Sequence, residues 1–404
     1  MNELILIQIS GEDRPGLTAR LTEAMAPHGA DILDMGQAVI HDMLSLGILV
    51  RLHPEADAAA LIKDMLFLAH ELGIKLKCIP ISAGDYQKWA ALEDRMRHIV
   101  TLLGRRVDSA QVAAVSRAME QSGLNIEVIT RLSSRQPLDP SENGRPACIE
   151  FFAQGEPRNL EELRTEFLRI SHEMGVDIAL QEDNVFRRNR RLVAFDMDST
   201  LIQAEVIDEL AAEAGVGDQV AAITESAMRG ELDFQESLRS RLRLLRGLNE
   251  EALERVAERI PLTEGAERLI TNLKRFGYKI AIISGGFTYF GRRLQERLGI
   301  DYLHANELEV ADGKVTGEVN GPIVDAERKA ELLRGIAESE DISLQQVIAV
   351  GDGANDLPML NLAGLGIAFH AKPKVKEGAR QAISTLGLDS ILYLIGMRER
   401  ETLS

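Results

Sequence analysis

The chain has 404 residues, too many for one ordinary hydrophobic core, and at about 100–200 residues per domain it should fold as about two to four. A hydrophobic fraction of 45% beside a charged fraction of 27% is that of a soluble globular protein, and no apolar run approaches the roughly 18 residues that span a bilayer. The formal charge of −17 argues against nucleic acid as a partner, because phosphate backbones call for basic faces; an anionic small ligand must be caught by local positive charge.

The opening Met1-Asn2-Glu3 has no basic region and only a short apolar run behind it, which reads as a first strand and not a signal peptide. A cytoplasmic location is expected, and the two cysteines, Cys78 and Cys148, read as buried thiols without a disulfide. About the first 180 residues carry one pattern twice. The first copy predicts a strand at Leu4 to Ser10, a helix from Gly16 to His28, strands near Ile32 to Ile40 and Leu44 to Leu52, a helix from Ala58 to Leu72 and a strand from Lys75 to Ile81. The second predicts Ile99 to Leu103 (strand), Ser109 to Gln121 (helix), Asn125 to Thr130 and Ala147 to Ala153 (strands), Leu160 to Met174 (helix) and Asp177 to Leu180 (strand). Both orders are β-α-β-β-α-β, the ferredoxin-like arrangement. Ser133 to Pro146, rich in Ser, Pro, Gly and Asn, should be a mobile surface excursion.

The expected domains are 1–86, 95–182 and 192–404, with 183–191 as a linker whose Arg187-Arg188-Asn189-Arg190-Arg191 reads as a solvated connection. From Leu192 strands alternate with helices, the signature of a parallel sheet. A helical stretch at about 204–260, with no convincing strand inside it, reads as a cap inserted over the sheet's active edge. Asp312-Gly313 between alternating runs marks a hairpin.

Three apolar strands end in chemistry. Leu192-Val193-Ala194-Phe195 runs into Asp196-Met197-Asp198-Ser199-Thr200. Lys279-Ile280-Ala281-Ile282-Ile283 runs into Ser284-Gly285-Gly286, the glycines opening a helix. Val347-Ile348-Ala349-Val350 runs into Gly351-Asp352-Gly353-Ala354-Asn355-Asp356. Ligands of open α/β sheets bind at this carboxyl edge. Together with Lys329 these segments resemble the haloacid dehalogenase superfamily of phosphatases, and Ala227 to Arg241 resembles the cap of its phosphoserine phosphatase branch.

The resemblance implies a HAD-like Rossmannoid α/β parallel sheet with a helical cap, and an Mg²⁺-dependent hydrolysis of phosphoserine through an aspartyl-phosphate. Residue by residue it implies Asp196 as nucleophile and Asp198 as general acid and base, with Asp196, Asp198 (through its carbonyl) and Asp352 around Mg²⁺ and Asp356 behind them. Ser284, Gly285, Lys329 and Asn355 are implied at the phosphate; Glu205, Met228, Phe234 and Arg241 are implied at the amino acid, where a carboxylate and an arginine fork complement a zwitterion. The two repeats resemble ACT domains, α+β modules that bind amino acids. This implies homodimers or higher homo-oligomers and an amino acid effector, serine, near Asp13, Gly16, Asp31 and Asp34. Gly104-Arg105-Arg106-Val107-Asp108 in the second copy lacks the Pro15-Gly16 pair of the first. Two other readings stand at this stage: a relative acting on another phosphorylated hydroxy amino acid or transferring phosphate to homoserine, and an amino acid sensor whose phosphatase block is vestigial.

Overall fold

The structure, a computed structural model, describes residues 3–92, 95–136, 138, 146–229 and 231–403, the side chain of Met228 excepted. Most of the expected excursion, residues 137 and 139–145, lies outside the described residues. The chain divides into two compact units, Met1–Arg95 and Met96–Ser404.

In the first unit β1 (Glu3–Glu12), α1 (Leu17–Met25), β2 (Ala30–Ile40), β3 (Met43–Leu52), α2 (Ala58–Leu72) and β4 (Lys75–Ile81) follow in order, with α3 (Ala83–Ala90) after them. The strands form an antiparallel sheet in the order β2-β3-β1-β4. Alternation decides which face is dry: Ile5, Ile7 and Ile9 of β1 point at Leu21, Leu61 and Met65 of the two helices. Asp57 starts α2 by accepting from the amides of Ala59 and Ala60, and Gly73 ends it in the left-handed region. The edge strand β2 leaves Ile32, Val39 and Ile40 exposed.

The second unit begins with the same order: β5 (Arg97–Gly104), α4 (Ser109–Gln121), β6 (Asn125–Arg131), β7 (Ala147–Gln154), α5 (Leu160–Met174) and β8 (Asp177–Glu182), giving the sheet β6-β7-β5-β8. Here both faces of β5, β7 and β8 are covered, while the edge strand β6 leaves Val128 and Ile129 exposed. Leu103, Leu132, Cys148 and Ala179 share one buried cluster with residues far along the chain, among them Tyr393, Leu394 and Ile395. Asp177 accepts from the amides of Ser384 and Thr385 at 2.8 and 2.9 Å, and the Gln381 side chain accepts from the Leu180 amide at 2.9 Å.

This contact corrects the expectation of a solvated connection. Arg187 is 1% exposed and ion-paired with the fully buried Glu150 of β7, and Arg190 is buried with its guanidinium on the carbonyls of Gln345 and Gly364. Burial is tolerable because each charge has a partner in the adjoining layer.

The remaining elements are β9 (Leu192–Phe195), α6 (Val206–Glu213), α7 (Gly217–Met228), α8 (Phe234–Leu244), α9 (Glu250–Arg259), α10 (Ala266–Arg275), β10 (Lys279–Phe287), α11 (Thr288–Leu298), β11 (Tyr302–Ala311) and β12 (Lys314–Asn320). After them come α12 (Ala326–Ser339), β13 (Val347–Gly351), α13 (Leu357–Leu362), β14 (Leu365–Phe369), α14 (Pro373–Gly378), β15 (Gln381–Ile383) and α15 (Ile391–Leu394). The sheet order is β12-β11-β10-β9-β13-β14-β15, with β11 and β12 antiparallel and the other pairs parallel. Asp312 and Gly313, at φ 49° and 71°, make the hairpin. Helices α6 to α9 form the cap between β9 and β10. The chain leaves the sheet's centre at β9, runs to β10 on one side and later returns to β13 on the other, so the carboxyl end of β9 is a topological switch point.

Candidate active site

Leu192 to Phe195 are all fully buried, which draws β9 into the middle of the sheet and sets Asp196 at its end. The Asp196 amide donates to the Val350 carbonyl at 2.9 Å, tying that end to β13. Asp196 Oδ1 accepts from the Met197 amide at 2.7 Å, while Oδ2 faces Lys329 Nζ at 3.0 Å. In the tight turn that follows, Ser199 takes φ 54° and its hydroxyl donates to Glu205 at 2.7 Å. Thr200, fully buried, donates to Asp352 Oδ1 at 3.1 Å.

Asp198 lies against Gly286: a Cβ there would sit 2.8 Å from Asp198 Oδ2. Its Oδ1 is buried without a partner. Desolvation, reinforced by Glu205 and Asp196, holds its carboxyl well above the usual range, which favours the protonated, acid form.

Asp325 caps α12 by accepting from the Arg328 amide, which aims Lys329 inward. Lys329 is fully buried between Asp196 and Asp356, the latter at 2.6 Å. Burial would discharge it, but the two carboxylates outweigh burial and keep the ammonium charged. Asp356 also accepts from the Gly353 amide at 2.9 Å. Desolvation and Asp196 push Asp352 up to about 7. Oxygens of Asp196, Asp352 and Asp356 lie within 4.8 Å of one another, three carboxylates against one lysine. Such an all-oxygen set, short of positive charge, fits a hard divalent cation. Both oxygens of Asp196 and both of Asp356 already face Lys329 or a backbone amide, whereas Asp352 accepts from Thr200 through Oδ1, so Asp352 is the freest ligand of the three.

The second strand end differs from expectation. Gly285 and Gly286 do not open a helix: β10 runs on to Phe287, its pairing with β11 shifting between Ile283 and Phe287, and α11 begins at Thr288. The bulge is possible because neither glycine has a Cβ; one on Gly286 would lie 2.6 Å from Met197 Cε. Ser284, buried, accepts from the Gly286 amide at 3.0 Å. Asn355 is half-buried, folded against Gly353.

From the cap, the Phe234 ring reaches over Gly285, with Cζ 3.0 Å from where a Cβ would stand, and Gln235 donates to Asp325 at 2.9 Å. The cap therefore rests on the sheet edge. Arg241 is half-buried, its Nε without a partner; burial pulls its guanidinium down while Asp208, Glu205 and Asp198 act the other way. Glu205 keeps part of its surface in water, yet enough protein surrounds its carboxyl that desolvation raises it. The Met228 side chain lies outside the described residues.

In the first unit, Gly16 at φ 85° precedes α1, and the Asp13 amide donates to Asp42 at 2.7 Å. Asp31 pairs with Arg51 at 2.7 Å, and Asp34 accepts from the Met35 amide at 2.8 Å. Sequence reasoning gave no separate role to Thr200, Asp208 or Asn306. The first stands inside a motif already noticed; the other two carry no local signal.

A family model described as haloacid dehalogenase-like hydrolase matches residues 193–361, and two described as ACT domain match residues 3–78 and 96–181. A phosphoserine phosphatase of Streptomyces coelicolor is 42% identical over 98% of this chain and 93% of its own length, and one of Mycobacterium tuberculosis is 39% identical over 98% and 94%. Among solved structures, an unliganded probable phosphoserine phosphatase from Vibrio cholerae is similar with a TM-score of 0.59 and 38% identity, over 74% of this chain and 86% of that one. A HAD family hydrolase from Salmonella enterica gives 0.63 and 30% identity, over 74% and 99%.

Proposed function

The chain belongs to the phosphoserine phosphatases among the haloacid dehalogenase-like hydrolases, and we propose on that premise that it hydrolyses O-phospho-L-serine to L-serine and phosphate, closing serine synthesis. The observation that carries the substrate is Arg241 of the cap, half-buried with its Nε unpartnered among the described residues and near enough to Glu205, Asp208 and Asp198 to feel their charge. A charged fork and a carboxylate at the mouth of a phosphatase site complement the two charged ends of an amino acid.

In the first half-reaction an Asp196 carboxylate oxygen attacks phosphorus, the bond to the serine oxygen breaks, and Asp198 delivers its proton to that oxygen. In the second, water attacks the aspartyl-phosphate, Asp198 takes the water's proton, and phosphate leaves with the Asp196 carboxylate restored. Lys329, the Ser284 hydroxyl and the bare backbone at Gly285, with Asn355 beside them, receive the charge of the phosphoryl oxygens. Mg²⁺, held by Asp196, Asp352 and the Asp198 carbonyl with Asp356 behind, supplies further neutralisation of that charge when bound. Phe234 closes the apolar side of the amino acid site.

We further assign the two ACT-type domains, within 1–86 and 95–182, to homo-oligomer assembly and to amino acid sensing, with serine as the effector near Asp13, Gly16, Asp31 and Asp34 of the first. The location we assign is cytoplasmic; among the described residues no helix is long and apolar enough to cross a membrane. The function is tested by phosphate release from phosphoserine, phosphothreonine, homoserine phosphate, a sugar phosphate and p-nitrophenyl phosphate, with and without Mg²⁺. Phosphoserine should have the highest kcat/KM and chelation should abolish turnover; a preferred sugar phosphate, or no turnover of phosphoserine, would contradict the proposal.

A further inference from the structure

The peptide joining Gly285 to Gly286 has no Cβ on either side, so sterics choose weakly between its two orientations. In one its N–H faces Ser284; in the other, flipped by about half a turn, the carbonyl does. The structure holds the first, and holds it from both ends. Gly286 N donates to Ser284 Oγ at 3.0 Å, and the Gly285 carbonyl of the same planar unit accepts from Asn306 Nδ2 at 2.7 Å. Asn306 is 2% exposed and is itself fixed, its Oδ1 accepting from the Val324 amide at 2.8 Å. Those two partners leave one assignment of its amide. Asn306 thus joins the Ser284 segment to the segment that leads, through Asp325, into the helix carrying Lys329.

The orientation matters for proton direction. A serine hydroxyl that already accepts from an amide keeps its own proton free to donate; facing a carbonyl it would spend that proton on the carbonyl. We propose that Asn306 is a positioning residue of the phosphatase reaction, locking the Gly285–Gly286 peptide so that the Ser284 hydroxyl is a donor to the phosphoryl oxygens. The proposal rests on the phosphatase reading above and names a residue that acts through Ser284.

Asn306→Asp, assayed at alkaline pH where the buried carboxyl is ionised, separates its two contacts: the carboxylate still accepts from Val324 but cannot donate to the Gly285 carbonyl. It should lower kcat/KM about tenfold, for phosphoserine and p-nitrophenyl phosphate alike. The deciding readout is a double-mutant cycle with Ser284→Ala. If Asn306 acts through Ser284, the double variant is no slower than Ser284→Ala alone; losses that multiply, or wild-type activity in Asn306→Asp, would overturn the proposal. Should Asn306→Asp not fold, Asn306→Ser, smaller and neutral, is put through the same cycle with the same criterion. A wild-type chain that hydrolyses p-nitrophenyl phosphate but not phosphoserine would overturn the substrate assignment, while the cycle read on the former ester still decides the role of Asn306. A chain inert to both overturns both.

Discussion

Lys329 keeps its charge in a dry place because Asp196 and Asp356 stand on either side of it, and the Asp198 carboxyl is pushed towards its protonated form because desolvation, with Glu205 and Asp196 nearby, outweighs the pull of Lys329. Two aspartates two residues apart thereby take opposite parts, one facing an ammonium and the other sharing its surroundings with Glu205. We propose Arg241 as the corresponding residue for the substrate's other end. Arg241→Ala should raise the barrier for phosphoserine by about 1.5–3 kcal/mol while leaving p-nitrophenyl phosphate nearly unchanged, since only the former loses a charge-assisted contact. Steady-state kinetics on both esters check this, and equal losses would make Arg241 a structural residue. Asp196, Ser284 and Asp352 were legible because each directly follows an apolar strand, and strand ends in a parallel sheet converge. Asn306 and Asp208 were not, because their roles come from partners brought near only by the fold. Arg187 was misread for the same reason: a run of arginines looks solvated until Glu150, in another layer, is set against it.

At the scale of elements, the apolar runs gave the strands, and Asp57, Asp108, Asn159 and Asp325 cap helices by accepting from the amides that follow them. What the runs did not give was the extension of β10 through Ser284-Gly285-Gly286, since a glycine pair suits a helix start as well as a bulge and only contact with Met197, Asp198 and Phe234 decides between them. That contact makes a prediction. Gly286→Ala would put a methyl 2.6 Å from Met197 Cε and 2.8 Å from Asp198 Oδ2. The methionine can swing aside but the carboxyl cannot without leaving its post, so kcat should fall at least about tenfold for a stability loss of about 1–3 kcal/mol. Turnover and thermal melting measured together check it, and full activity would mean that Asp198 is not held where the structure puts it.

In the whole molecule, the two ACT-type domains differ in what they cover. The first has its own core within Met1–Arg95, whereas the second shares a buried cluster with the catalytic sheet, through Leu103, Leu132, Cys148 and Ala179 on one side and Tyr393 and Leu394 on the other. A chain starting at Met96 should therefore fold and turn over phosphoserine. A chain starting at Arg188 should not fold cooperatively, because it bares the face of that cluster covered by Leu103, Leu132, Cys148 and Ala179 and lacks the Arg187–Glu150 pair. Melting curves and turnover for the two chains test this; a stable, active chain from Arg188 would show that the second domain is dispensable. The repeat itself was legible from its two β-α-β-β-α-β patterns, but its unequal use was not, because the covering residues lie some two hundred positions downstream.

We propose that Asp196 carries phosphate from serine to water. The most direct test is to quench the full-length protein during phosphoserine turnover with Mg²⁺, reduce acyl-phosphates with borohydride and locate the modified residue by mass spectrometry. Modification is expected at Asp196 alone, absent in Asp196→Asn, which should also release no phosphate. Phosphate trapped on any other residue, or turnover near the wild-type rate in Asp196→Asn, would contradict it.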